Sequence, residues 1–158
     1  MKKLTNNKSM IFTFVNIFSW VFVFSFSLVE YSYADSRFPI LKDSKEQVQQ
    51  GRLLYDQNCA SCHKKDLSGT EDWRSVDSDG HTNPPPLNGT AHTWHHSDEL
   101  LHDIIKHGFN NLIKNYQGKM LGFGDKLNDK EIDSILAYIK TYWPEDIYLH
   151  HLDMSKNK

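Results

Sequence analysis

Cysteine is nearly absent: the 158 residues hold two, at 59 and 62. A four-ligand zinc knuckle needs a second cysteine pair at comparable spacing, and there is none. Nine histidines leave an irregular His-rich zinc site open, and a plain structural disulfide is another reading of the pair. Strand-like alternation is missing beyond residue 34, and a helical, polar stretch precedes Cys59. That argues against a thioredoxin-like pair, which follows a strand in a βαβ unit. A charge excess is missing too. Three of the 18 basic and one of the 20 acidic residues lie in the first 34, so the remainder carries −4 with neutral histidine. No basic patch points to nucleic acid. Beyond residue 34 methionine is reduced to Met120 and Met154.

What is present centres on Cys59-Ala60-Ser61-Cys62-His63. A C-x-x-C-H run is the attachment sequence of c-type haem. The spacing follows from the chemistry. Two thiols three positions apart on one helical turn can each add to a vinyl group of one porphyrin. The next residue then offers an imidazole nitrogen to the iron.

The first 34 residues read as a targeting segment. Lys2, Lys3 and Lys8 form a basic start, an apolar stretch runs from Met10 to Val29, and Ser32-Tyr33-Ala34 supplies small residues at the cleavage positions. The apolar stretch is also long enough for a retained membrane anchor. Either way the remainder, 35–158, lies outside the cytoplasm: periplasmic or otherwise exported, or tethered to the outer face of the membrane. It is one domain with its core at about 44–143.

Ser44-Lys45-Glu46-Gln47 predicts a capping box opening a helix that runs to about Asn58, with Gly51 at its middle. Residues 64–96 are rich in Asp, Ser, Gly, Thr and Pro, a long loop wrapped around something. Ser97 caps a second helix with a buried stripe of Leu100, Leu101, Ile104 and Ile105, ended by Gly108. Residues 110–117 make at most a short turn or helix. Asn128-Asp129-Lys130-Glu131 opens the last helix, which carries Ile132, Ile135, Leu136, Ile139 and Trp143 and stops before Pro144. Residues 145–158 read as a polar tail without chemistry. The fold class is all-α, three to five helices around one covalently bound haem.

Taken in this order, the chain resembles the class I (soluble, single-haem) cytochrome c family over about residues 44–143. The matching stretches are Gly51 to His63, the Met120 loop, Ala137-Tyr138-Ile139 and Pro85-Pro86-Leu87-Asn88-Gly89, which follows the family's Pro-x-Leu-x-Gly. The resemblance implies haem c held by Cys59 and Cys62, with iron between His63 and Met120. It implies that the Pro85 carbonyl accepts from His63, that Leu87 lies against the haem, and that Gly51 meets Tyr138 where the first and last helices cross. Trp94 is similar in position to a family tryptophan that bonds a haem propionate. Leu121 stands where many relatives place proline after the ligating methionine, and the loop between His63 and Pro85 is longer than in compact members.

These readings describe a monohaem protein, not an enzyme, that passes single electrons between redox partner proteins. With both faces of the iron taken, substrate has no vacant site. The alternatives are a haem enzyme or ligand sensor with a labile sixth ligand, a bis-histidine site using His102, His107 or the 92–96 cluster, and an electron-transfer subunit of a larger oxidoreductase.

Overall fold

The computed structural model describes residues 38–116 and 118–156. The targeting segment 1–34, with its apolar stretch, lies outside the described residues. Among the described residues six α-helices and one 3-10 turn follow in order: α1 (Lys45–Asn58), α2 (Ala60–His63), the turn Thr93–His95, α3 (Asp98–His107), α4 (Phe109–Leu112), α5 (Asp129–Lys140) and α6 (Glu145–Lys156). The described residues contain isolated β-bridges and no strand, in keeping with an all-α fold.

Local chemistry sets three of the helix starts. Ser44 Oγ accepts from the Gln47 amide at 3.2 Å, although the return bond of a full capping box is not among the described bonds. Ser97 caps α3 through the Leu100 amide. Asn128 and Glu131 form both halves of a capping box on α5, at 3.1 and 2.9 Å.

The main helix pair is α1 on α5. Gly51 makes the approach close: a Cβ placed there would lie 1.8 Å from the Ser134 carbonyl oxygen and 3.0 Å from Tyr138 Cβ. The backbone of Ser134 is thus the tightest neighbour, ahead of the expected Tyr138. Tyr55, one turn further along α1, is fully buried with its ring centroid 5.4 Å from that of Tyr138. Covered by α1 and by α3, α5 is buried at every position from Ile132 to Lys140.

Three sequence expectations change. Leu100 is 39% exposed and does not belong to the stripe of α3. Asp98, Leu101, His102, Ile104 and Ile105 are the buried residues of α3, so Leu101, Ile104 and Ile105 of the expected stripe hold and Leu100, at its edge beside Ile104, turns to solvent. Secondly, α5 ends at Lys140, and Thr141 to Trp143 continue as a tighter turn of i→i+3 bonds that keeps Trp143 buried. Thirdly, residues 145–156 are helix α6 and not a featureless tail. Tyr148 and His151 are buried on one face, with Ile147 and Leu152 packed beside them. That i, i+3, i+4 face is embedded in a polar composition, which hides it from a hydropathy reading.

Candidate functional site

The site grows out of the end of α1. Cys59 donates its amide to the Tyr55 carbonyl, and the Cys59 carbonyl in turn accepts from the amides of Cys62 at 3.1 Å and His63 at 2.9 Å. One turn of backbone therefore carries both thiols and the imidazole. The two sulfurs are not bonded to each other. Burial pushes the Cys59 thiol up to about 12, with the neighbouring Cys62 adding to it. Cys62 is exposed.

His63 is buried, and its Nδ1 donates to the Pro85 carbonyl at 2.9 Å. A carbonyl can only accept, so this bond fixes the tautomer and leaves Nε2 with its lone pair. Among the described residues nothing hydrogen-bonds Nε2. Burial lowers the pKa of the ring, outweighing the opposing effect of the Pro85 bond, which keeps the imidazole neutral near pH 7. A neutral, oriented imidazole beside two free thiols fits a haem iron and its two vinyl groups.

The Pro85 carbonyl is held by residues that carry no motif. Leu67 sits fully buried at φ 61°, an uncommon region for a branched side chain, and its carbonyl accepts from the Leu87 amide at 2.8 Å. Gly69, at φ 64°, donates its amide to the His63 carbonyl, and a Cβ there would lie 2.5 Å from the Pro85 carbonyl carbon. Trp143 Nε1 donates to the Leu87 carbonyl at 2.8 Å. Gly69 and Trp143 are legible afterwards as a glycine in the long loop and a tryptophan ending the last apolar stripe. Nothing in the sequence aims either at Pro85.

Of the other expected residues, Leu87 and Met120 are partly buried and packed against the core. Trp94 is partly buried as well, and its carbonyl accepts from His151 Nδ1 at 2.9 Å. The Trp94 ring packs on His95 and His150. No hydrogen bond among the described residues joins Met120 or Trp94 to His63. Two of the competing histidines have partners of their own. His102 is buried within 3.8 Å of the carboxylates of Asp103, Asp129 and Asp133, and His92 stacks on Trp73. A cleft of about 420 Å³ between Pro39, Ile40, Gln47 and Asp133 shares no residue with the Cys-Cys-His turn.

Residues 46–139 match the family model described as cytochrome c oxidase, cbb3-type, subunit III, a span that takes in Cys59, Cys62, His63, Pro85, Leu87, Trp94 and Met120. Neither the curated proteins nor the solved structures contain a significant match. The match covers more than half of the chain, and the turn at its start pairs two free thiols with a neutral, oriented imidazole. The chain belongs to this cytochrome c family, and with that membership come haem c, iron and electron transfer.

Proposed function

We propose that the chain is a monohaem c-type cytochrome that moves one electron at a time between protein partners outside the cytoplasm. The bond from His63 Nδ1 to the Pro85 carbonyl carries this reading. It holds the ring by one nitrogen and raises the basicity of the other, the arrangement a metal-binding histidine needs. Haem supplies an iron that alternates between two oxidation states. Cys59 and Cys62 would hold the haem as thioethers, since addition of each S–H across a vinyl group needs no oxidant. Met120 contributes a thioether, a soft ligand without a proton to lose. Leu87 and Trp94 are assigned to the cofactor's surroundings by the family resemblance, Trp94 towards a propionate.

Haem should remain on the denatured polypeptide through acid–organic extraction, with the added mass seen by mass spectrometry. Haem that extracts freely from matured protein would overturn the assignment of Cys59 and Cys62. The oxidised protein should show the weak near-infrared sulfur-to-iron charge-transfer band, and Met120→Ala should abolish it. Met120→His should keep the iron low-spin and lower the potential. If the band is absent and Met120→Ala changes neither spectrum nor potential, Met120 is not the ligand. Export is read from the sequence alone, and a mature N-terminus at Asp35 would support it.

The family description favours a second reading, an electron-transfer subunit of a larger oxidase. Co-purification of the native protein with partner subunits distinguishes this from a free carrier.

A further inference from the structure

The Met120 segment is held unequally on its two sides. Downstream, the backbone is bonded to α3 and its end: Leu121 bridges Gly108, the Phe123 amide donates to the Ile105 carbonyl, and the Gly124 amide to the Lys106 carbonyl, both at 2.9 Å. Upstream, Gly118 and Lys119 have little helix to lean on. Asn110 Nδ2 donates to the Gly118 carbonyl at 3.0 Å. The other attachments come from the long loop. Thr82 forms a parallel bridge with Gly118, and Thr82 Oγ1 meets the Tyr116 hydroxyl at 2.7 Å. Lys119 Nζ pairs with Asp77 and lies 3.6 Å from Asp79.

The loop is built to present Asp77. One carboxylate oxygen, Oδ1, accepts from the amides of Asp79 and His81, each at 2.9 Å, which folds 77–81 into a tight turn. The second oxygen, Oδ2, is turned to Lys119. Val76 then bridges Thr82 across the turn. The carboxylates of Asp77 and Asp79 and the ring of His81 are close enough together to hold a cation, and the Lys119 ammonium already occupies that electrostatic role.

We propose that the turn 76–82 is a strap that positions Met120 by fixing the backbone immediately before it, in place of the proline that many relatives carry immediately after. The proposal rests on Met120 being the sixth ligand. The Leu121 side chain is 72% exposed, so that side is held through backbone bonds to Gly108, Ile105 and Lys106 and not by a rigid ring next to Met120. Holding residues 118 and 119 restricts the same backbone from the other direction. Asp77, Thr82 and Lys119 are positioning residues; none of them touches the iron.

Titration of the oxidised holoprotein with imidazole, an exogenous ligand that competes with a thioether, tests the strap. Apparent affinity scales with the population in which Met120 has left the iron. Asp77→Asn keeps Oδ1 for the turn and removes the charge facing Lys119, while Thr82→Val removes one hydroxyl without changing volume. Together they should tighten imidazole binding about tenfold. Lys119→Arg should stay within about twofold of wild type. Chelator should change nothing, and a chelator effect equal to that of Asp77→Asn would replace Lys119 by a metal ion and overturn the strap. Amide hydrogen exchange at residues 118–121 reads the strap independently of the iron ligand and should quicken in the double variant. A wild-type protein lacking the near-infrared band withdraws the Met120 reading. A protein with the band, whose double variant binds imidazole and exchanges as wild type does, overturns the strap alone.

Discussion

Helix α5 is buried by opposite means along its length. Against α1 the packing depends on atoms that are missing: Gly51 lets one backbone reach the Ser134 carbonyl. At the other end, beside α3, charges come in: Lys140 of α5 meets Asp98 of α3, which His151 of α6 also reaches. Asp98, Lys140 and His151 are all fully buried, with Asp98 Oδ1 at 2.5 Å from Lys140 Nζ and 2.9 Å from His151 Nε2. Asp98 Oδ2 accepts from the Ile40 amide and Lys140 donates to the Ile40 carbonyl, so the leader segment is clamped by the same cluster. His151 faces the Trp94 carbonyl with Nδ1 and Asp98 with Nε2, each at 2.9 Å.

The comparison shows how differently the two ends fail. A glycine crossing tolerates no added atoms but needs no partner beyond them. A buried ionic cluster tolerates no removal, because each departure leaves another charge without compensation. The family match ends at residue 139, so the crossing lies inside it while Lys140 and α6 lie beyond.

Breaking the charged end should have the largest effect. Asp98→Asn leaves Lys140 and His151 without their anion and should cost about 3–5 kcal/mol, read as a shift of the urea midpoint of the holoprotein. Burial is the strongest influence on Asp98 and opposes its ionisation, yet the bonds from His151 and Lys140 prevail and hold the carboxyl below its usual range. A depressed folded pKa contributes stability above the unfolded value of about 4, which is lost as pH falls through the folded value. The wild type should therefore lose stability in that acid window, and the Asp98→Asn curve should be flatter there.

The crossing comes next. Gly51→Leu drives a side chain into the backbone of Ser134 and should cost about 3 kcal/mol, the upper end of overpacking. An unchanged melting curve would place Gly51 at the surface and end the comparison. A smaller effect separates the site from both ends. Trp143→Phe removes the bond to the Leu87 carbonyl and should cost about 1 kcal/mol in thermal unfolding. The smallest is expected at Lys42, whose Nζ pairs with Glu145 at 3.0 Å and lies over the Tyr148 ring. Lys42→Ala should cost under about 1 kcal/mol and less still at high salt; a cost as large as that of Asp98→Asn would mean that exposed and buried charges hold α6 equally.

Much of this was legible in residue order. The cap residues Ser44, Ser97 and Asn128 announce α1, α3 and α5 because a cap is a local event between residues three apart. The Cys-Cys-His turn is local as well, so the placing of both thiols and the imidazole on one turn was legible without a fold. The resemblance pairs His63 with Pro85, 22 residues away, and a hydrogen bond joins the two, because an ordered set of short motifs carries a geometry with it.

By itself the sequence determined what neighbours along the chain can do: which turns cap, which cysteines share a turn with a histidine, which helix has room for a backbone at Gly51. Tertiary structure alone decided which distant polar groups would meet. Asp98 reads as an ordinary first-turn acid, Lys140 as a last-turn base and His151 as part of a polar end. Their meeting makes a buried ionic corner from three residues that look solvated. Likewise Lys119 and Asp77 stand 42 residues apart and meet only because the long loop folds back on the Met120 segment. The physical reason is common to both cases. Hydrogen-bonding capacity belongs to a residue, but its partner is chosen by packing, and packing couples positions that no periodicity in the chain connects.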